Sequence, residues 1–233
     1  MNVQTSKLKK VTGIVLILVM LLLPFTSLLN VKAEATDITV DSSITKSDDP
    51  NSKKVTNTAK LTVYDVADLL KAYKVLDIYY NETSNEMSYD FTTTFTNFKS
   101  SSYATTTTKD FSTLTVNEYL AYGEEGANKD EFNSLAAQFA KYIRKNNIAG
   151  LDFTSDTTTV PEGEDSFKVY IENIEAGAYL VLPATTNPFI DSEGLYSVNT
   201  YGALIANIAF RAEYGQWYLN GLQTSAKVDN NQI

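Results

Sequence analysis

The sequence predicts a mainly β protein: an antiparallel Ig-like, Greek-key sandwich with a helical insertion. Three observations point there. Runs rich in β-branched and aromatic residues occupy 60–80, 87–98 and most of the chain after Gly150, as strands require. A single clear amphipathic stretch, about 130–147, interrupts them, whereas a parallel α/β fold needs helices alternating with strands. Hydrophobic residues make up 43% of the 233, enough for a packed core in one domain of ordinary size.

Read in order, the chain opens on a leader. Lys7, Lys9 and Lys10 precede an apolar run over 11–29, which Pro24 breaks near its end. Val31-Lys32-Ala33 is an A-x-A-like site, so residues 1–33 read as a signal peptide cleaved between Ala33 and Glu34. An uncleaved anchor is the competing reading, since the run approaches spanning length. Without cysteine no lipid-modified thiol exists. Residues 34–58 are rich in Thr, Ser, Asp, Asn and Lys, and read as a flexible mature N-terminus.

Residues 60–80 have strand-like ends around DVADLLKAY, which locally resembles a helical turn. In 87–98, Met87, Tyr89, Phe91, Thr93 and Phe95 recur at period two and predict a strand. The Ser/Thr-rich 99–110 reads as a loop, and Thr115 with Glu118 fits a capping box. In the helix at 130–147, Phe132, Leu135, Ala136, Phe139, Ala140 and Ile143 make one stripe. Asp130 and Glu131 at its start, and Lys141, Arg144 and Lys145 near its end, complement the helix dipole. Asn146 and Asn147 suit a left-handed cap. Strands are expected at 166–174, 178–182, 197–210 and 216–227, with turns at 162–164, Gly177 and 192–194.

Composition excludes much chemistry. With no Cys and no His, disulfides, thiolates, the usual zinc sites and imidazole-based triads are out. A net charge of −9 argues against nucleic-acid partners. Carboxylates at 115–126 and 130–131 could serve a glycosidase, but an acidic helix start is commoner. Asp191 to Gly194 lacks calcium-loop spacing, and no phosphate-binding glycine loop is present. No metal, cofactor or enzymatic turnover is expected. The 15 tyrosines suit strands and core, although Trp217 and Tyr218 could form a sugar platform. LPATT (182–186) has Thr186 where a sortase signal has Gly, and reads as a strand end and turn.

Four segments, in order, resemble a known family. AYKVLDIYY (72–80) is similar to the "AYxIF" strand of N-terminal domains in Gram-positive, sortase-assembled pilins. LAAQFAKYIRKNNI resembles their "A..LAKYIKANNI" helix. IENIEAGAYLV (171–181) resembles their "I.NL.AGYYLV" strand pair, and YGALIANIAF…TSAK (201–227) their last strands. The family is the fimbrial, isopeptide-forming proteins. The resemblance implies a domain at 59–224, a linker at 225–233 to a following domain, and a secreted subunit on the cell wall or in a pilus. Its partners would be other pilin subunits and a pilus sortase, with the membrane met only through the signal peptide.

In that family a lysine late in the N-terminal domain accepts the next subunit. Trp217 upstream makes Lys227 the matching position, with Ser225-Ala226 in place of the family's Tyr-Pro. Many such domains also form an internal Lys–Asn amide, which needs a buried neutral amine and an acid to shuttle protons. Lys74, Asn207 and Glu172 are the candidates, since Pro183 stands where one branch carries its Glu. The competing reading has Lys74 snorkelling to the surface. The alternative function is a non-polymerising adhesin that binds a host protein or glycan.

Overall fold

The computed structural model describes residues 35–66, 70–123, 128–156, 167–184 and 203–225. Strands β1 (Val40–Lys46) and β2 (Asp49–Val55) form a hairpin. Then come β3 (Thr58–Val66), the twelve-residue β4 (Leu70–Asn81), and β5 (Glu86–Phe91), which folds back on β4. The helical stretch is α1 (Thr93–Lys99), two 3-10 turns (Ser102–Ala104 and Phe111–Thr113), α2 (Val116–Ala121) and α3 (Lys129–Lys145). Short β6 (Leu151–Asp152) and β7 (Thr154–Asp156) precede β8 (Phe167–Glu175) and β9 (Gly177–Pro183). The chain continues through β10 (Leu204–Ile208), β11 (Phe210–Glu213), β12 (Gln216–Leu219) and β13 (Leu222–Ser225).

The protein is mainly β, as the sequence predicts. One sheet runs β1-β2-β4-β9-β10, with β5 and β6 also paired to β4. A second runs β13-β3-β8-β7, and β11-β12 stands as a separate hairpin. Among the described strands every pairing is antiparallel except β13 with β3, which is parallel. Leu61, Val63, Val169, Tyr179, Val181, Ala206 and Ile208 fill the space between the sheets. On the other face of the first sheet, Val75, Ala178, Leu180 and Leu182 meet Phe95, Phe98, Leu135 and Phe139 of the helices. The described residues thus form three layers, helices on sheet on sheet. That explains why β9 reads GAYLVL: its first six residues are all buried, since both its faces are covered.

The α3 stripe is buried at each of its six predicted positions. The helix ends as a Schellman motif. Asn147 takes φ 52, and the Ile148 N–H donates to the Ile143 carbonyl at 2.9 Å. Thr115 and Glu118 form the expected capping box on α2.

Three expectations need correction. Residues 34–58 contain β1 and β2 and the start of β3, because Val55 and its neighbours pack on Ile78 and Ala176. The strand expected over 87–98 stops at Phe91, and the Thr92 side chain caps α1 by accepting from the Phe95 N–H at 3.3 Å. A helix then buries Phe95 and Phe98 together. The domain therefore begins well before residue 59, and β13 carries it to Ser225, one residue past the expected boundary.

Candidate functional site

The residues proposed for an internal amide do not meet. Lys74 lies on β4 opposite Tyr179 of β9, while Asn207 lies on β10 opposite Ala178. Tyr179 faces the core between the sheets and Ala178 faces the helices. Lys74 and Asn207 are therefore on opposite faces of the sheet with β9 between them, at about twice the ~4.8 Å strand spacing. Asn207 is exposed and accepts from the Tyr89 hydroxyl at 3.4 Å. Glu172 pairs with Lys60 at 2.5 Å on the rim, where both are about half exposed. Ala33, Glu34 and Lys227 lie outside the described residues.

Lys74 instead belongs to a four-charge cluster. Its ammonium reaches Glu175 Oε2 at 2.5 Å and Asp77 Oδ1 at 2.8 Å. Lys54 reaches the same two atoms at 3.4 Å and 3.3 Å. Lys54 comes from β2, Lys74 and Asp77 from β4, and Glu175 from the end of β8, so the cluster ties the two sheets together. The side chains are only 13–31% exposed, a setting where an unpaired charge would be costly. Burial by itself lowers the Lys54 pKa, but Asp77 and Glu175 outweigh it and hold it above the ordinary lysine value.

Local backbone makes room for this. A register shift between Lys74 and Leu76 bulges β4 opposite β9. Gly177 sits across the bulge at φ +152, and a Cβ there would lie 2.4 Å from Lys74 Cε and 2.5 Å from the Leu76 carbonyl oxygen. Gly177 is therefore the space through which the Lys74 stem passes. Tyr179 donates its hydroxyl to the Glu175 carbonyl at 2.7 Å. Burial, and then the charges of Glu175 and Asp77, push its pKa up strongly.

Two cations facing two carboxylates make a cross-sheet clamp. Sequence reasoning missed Lys54, Asp77 and Glu175. Glu175 was available as the last charge before the Ala176-Gly177 corner, three residues beyond Glu172. Lys54 was hidden because its strand read as flexible.

The proposed sugar platform is also otherwise engaged. The Trp217 indole N–H donates to Asn85 Oδ1 at 2.9 Å, and that oxygen also accepts from the Tyr80 hydroxyl at 3.0 Å. The indole is thereby tied to the β4–β5 turn.

No family model matches the sequence, and no curated protein matches it either. Among solved structures, the chain is similar to the T6 backbone pilin of serotype M6 Streptococcus pyogenes, described as a modular three-domain structure decorated with variable loops and extensions. The TM-score is 0.36 at 13% identity, over 74% of this chain and 28% of that one. This chain thus spans little more than a quarter of that pilin's length.

Proposed function

We propose that the chain is a structural subunit of a Gram-positive cell-surface pilus, without enzymatic turnover, joined to other copies by a sortase at Lys227. The observation that supports this best is how the resembling segments assemble. Dispersed over 72–227 in sequence, they supply the adjacent strands β4, β9 and β10, the helix α3 laid against that sheet, and the closing strand β13. β13 ends at Ser225, two residues before Lys227 in sequence. Export through removal of residues 1–33, residence on the cell wall, and partnership with other pilin subunits and a pilus sortase belong to the same reading.

The test is expression in a sortase-positive host followed by boiling in SDS. Wild-type chain should give a ladder, and Lys227→Ala should collapse it to monomer. A ladder that survives Lys227→Ala would move the linkage to another lysine. Monomer alone from wild type would favour a non-polymerising adhesin.

A further inference from the structure

Among the described residues three large hydrophobic side chains are exposed: Ile44 at 40%, Leu151 at 47% and Tyr214 at 100%. Apolar residues scattered singly on a surface are ordinary, but Tyr214 is held in an unusual way. With Gly215 it makes the turn between β11 and β12, at φ 49 and φ 77. Two positive φ values in succession mark a primed hairpin turn, whose first position prefers Asn, Asp or Gly. A bulky ring there is a backbone outlier, and strain of this kind gathers at functional positions. The tip stands clear of the body, since a Cβ added to Gly215 meets nothing within 4 Å.

The hairpin points to one end of β4. At its base, Phe210 and Leu219 pack on the cluster that holds Ile78. Nearer the tip, Trp217 donates to Asn85 in the β4–β5 turn at 2.9 Å. The tip therefore lies at the end of β4 where Asn81 stands. At the opposite end, a hollow of about 500 Å³ opens between α3 and β9, with Tyr73, Ala140, Ile143, Ile148, Leu182 and Pro183 in its walls. Ile143 and Leu182 are buried and make it apolar in depth, and the exposed Leu151 pairs with Ala72 close by. From Tyr73 to Asn81, β4 runs ~26 Å at ~3.3 Å per residue. The hollow is within the range of clefts that enclose small organic groups, so a phenol ring fits it.

We propose that Tyr214 of one copy seats in the α3–β9 hollow of a second copy. The occupant is the chain itself because every copy carries both the knob and the hole, and neither reaches the other within one copy. Lying at opposite ends of β4, they make a heterologous contact: each pair formed leaves one knob and one hole free, so association propagates head to tail. Tyrosine is among the side chains that concentrate binding energy at interfaces. A single knob buries little area, which places the contact in the weak, transient class. The contact is non-covalent and does not rest on linkage at Lys227.

The test is sedimentation equilibrium of the purified protein without sortase, at concentrations up to about 1 mM. The average mass of wild type should rise with concentration and pass that of a dimer. Tyr214→Asn removes the ring with a residue that suits a positive φ, and should stay monomeric. Ile148→Ser spoils the hole and should stay monomeric too. Mixed together, these two variants supply one intact knob and one intact hole, and should form a 1:1 dimer and stop there. Melting curves check that each variant is folded, and Ala184→Glu at the rim of the hollow stands in if Ile148→Ser is not. Lys227→Ala should associate as wild type does, so a lost covalent ladder and a lost non-covalent contact are told apart. The proposal is overturned if wild type is monomeric throughout, if it stops at a dimer, if Tyr214→Asn associates as wild type does, or if the mixed variants stay monomeric.

Discussion

Gly177 and Tyr119 show how much one side chain decides. At Gly177 an added Cβ collides with both the Lys74 stem and the Leu76 carbonyl, at a φ that L residues rarely adopt. Gly177→Ala should therefore cost about 2–3 kcal/mol, read as a fall in the urea midpoint with an unchanged slope. Tyr119 is the opposite case. Its ring is fully buried among Phe95 and the helix core, and its hydroxyl has no partner among the described residues. Burial drives its pKa well up. Because a buried unsatisfied hydroxyl costs about 1–3 kcal/mol, Tyr119→Phe should raise stability, and a lower urea midpoint for the variant would count against the orphan hydroxyl. Neither position was legible as special beforehand. A turn at Gly177 could be read from sequence, but the close approach of Lys74 depends on a bulge that no periodicity announces. Lys74 lies on β4, and of its two carboxylate partners Asp77 is three residues on while Glu175, at the end of β8, is far away in sequence.

At the scale of elements, the long periodic segments were the readable ones. α3 declared itself by its six-residue stripe, acidic start and basic end, and β9 by an unbroken apolar run. The errors came where two periods compete. Met87, Tyr89 and Phe91 alternate correctly as β5, but Phe95 and Phe98 continue at helical spacing, and the Thr run between them fits either pattern. What decides is Thr92, whose hydroxyl accepts from the Phe95 N–H and donates to the Lys74 carbonyl at 3.1 Å. Thr92→Ala should cost about 1 kcal/mol through the lost cap, and Thr92→Ser should recover most of it in the same denaturation assay. If the Ala variant is as stable as wild type, packing of Phe95 and Phe98 alone holds α1. The hairpin β1-β2 escaped notice for another reason. Its residues are polar because several of them face solvent, and Ser52 and Val55 do the burying.

The described residues are held by three apolar clusters and a charged clamp, and their response to alkali follows from burial and charge together. Burial is the leading cause that raises the pKa of Tyr73, Tyr79, Tyr89, Tyr119, Tyr122 and Tyr179, with Tyr122 reaching about 12. Lys54 is also raised, here by Asp77 and Glu175 against the opposing effect of burial. For each of these groups the folded state holds its proton more tightly than the unfolded chain, whose tyrosines ionise near pH 10. The stabilisation is thus fully present below that pH and is lost as pH rises through the folded values. The tyrosines lie on the first sheet (Tyr73, Tyr79, Tyr89, Tyr179) and on α2 and its C-cap (Tyr119, Tyr122), so the loss should spread through both of these layers. Thermal scans should show a melting temperature that is level through neutral pH and falls steeply above about pH 10. Tyrosinate absorbance should rise together with unfolding rather than ahead of it. Tyr179→Phe removes a group beside the clamp that must ionise for the chain to unfold in alkali, so its melting temperature should fall less steeply. A melting temperature that stays level to pH 12, or tyrosinate forming while the fold persists, would mean that these hydroxyls are open to solvent and that the clamp contributes little.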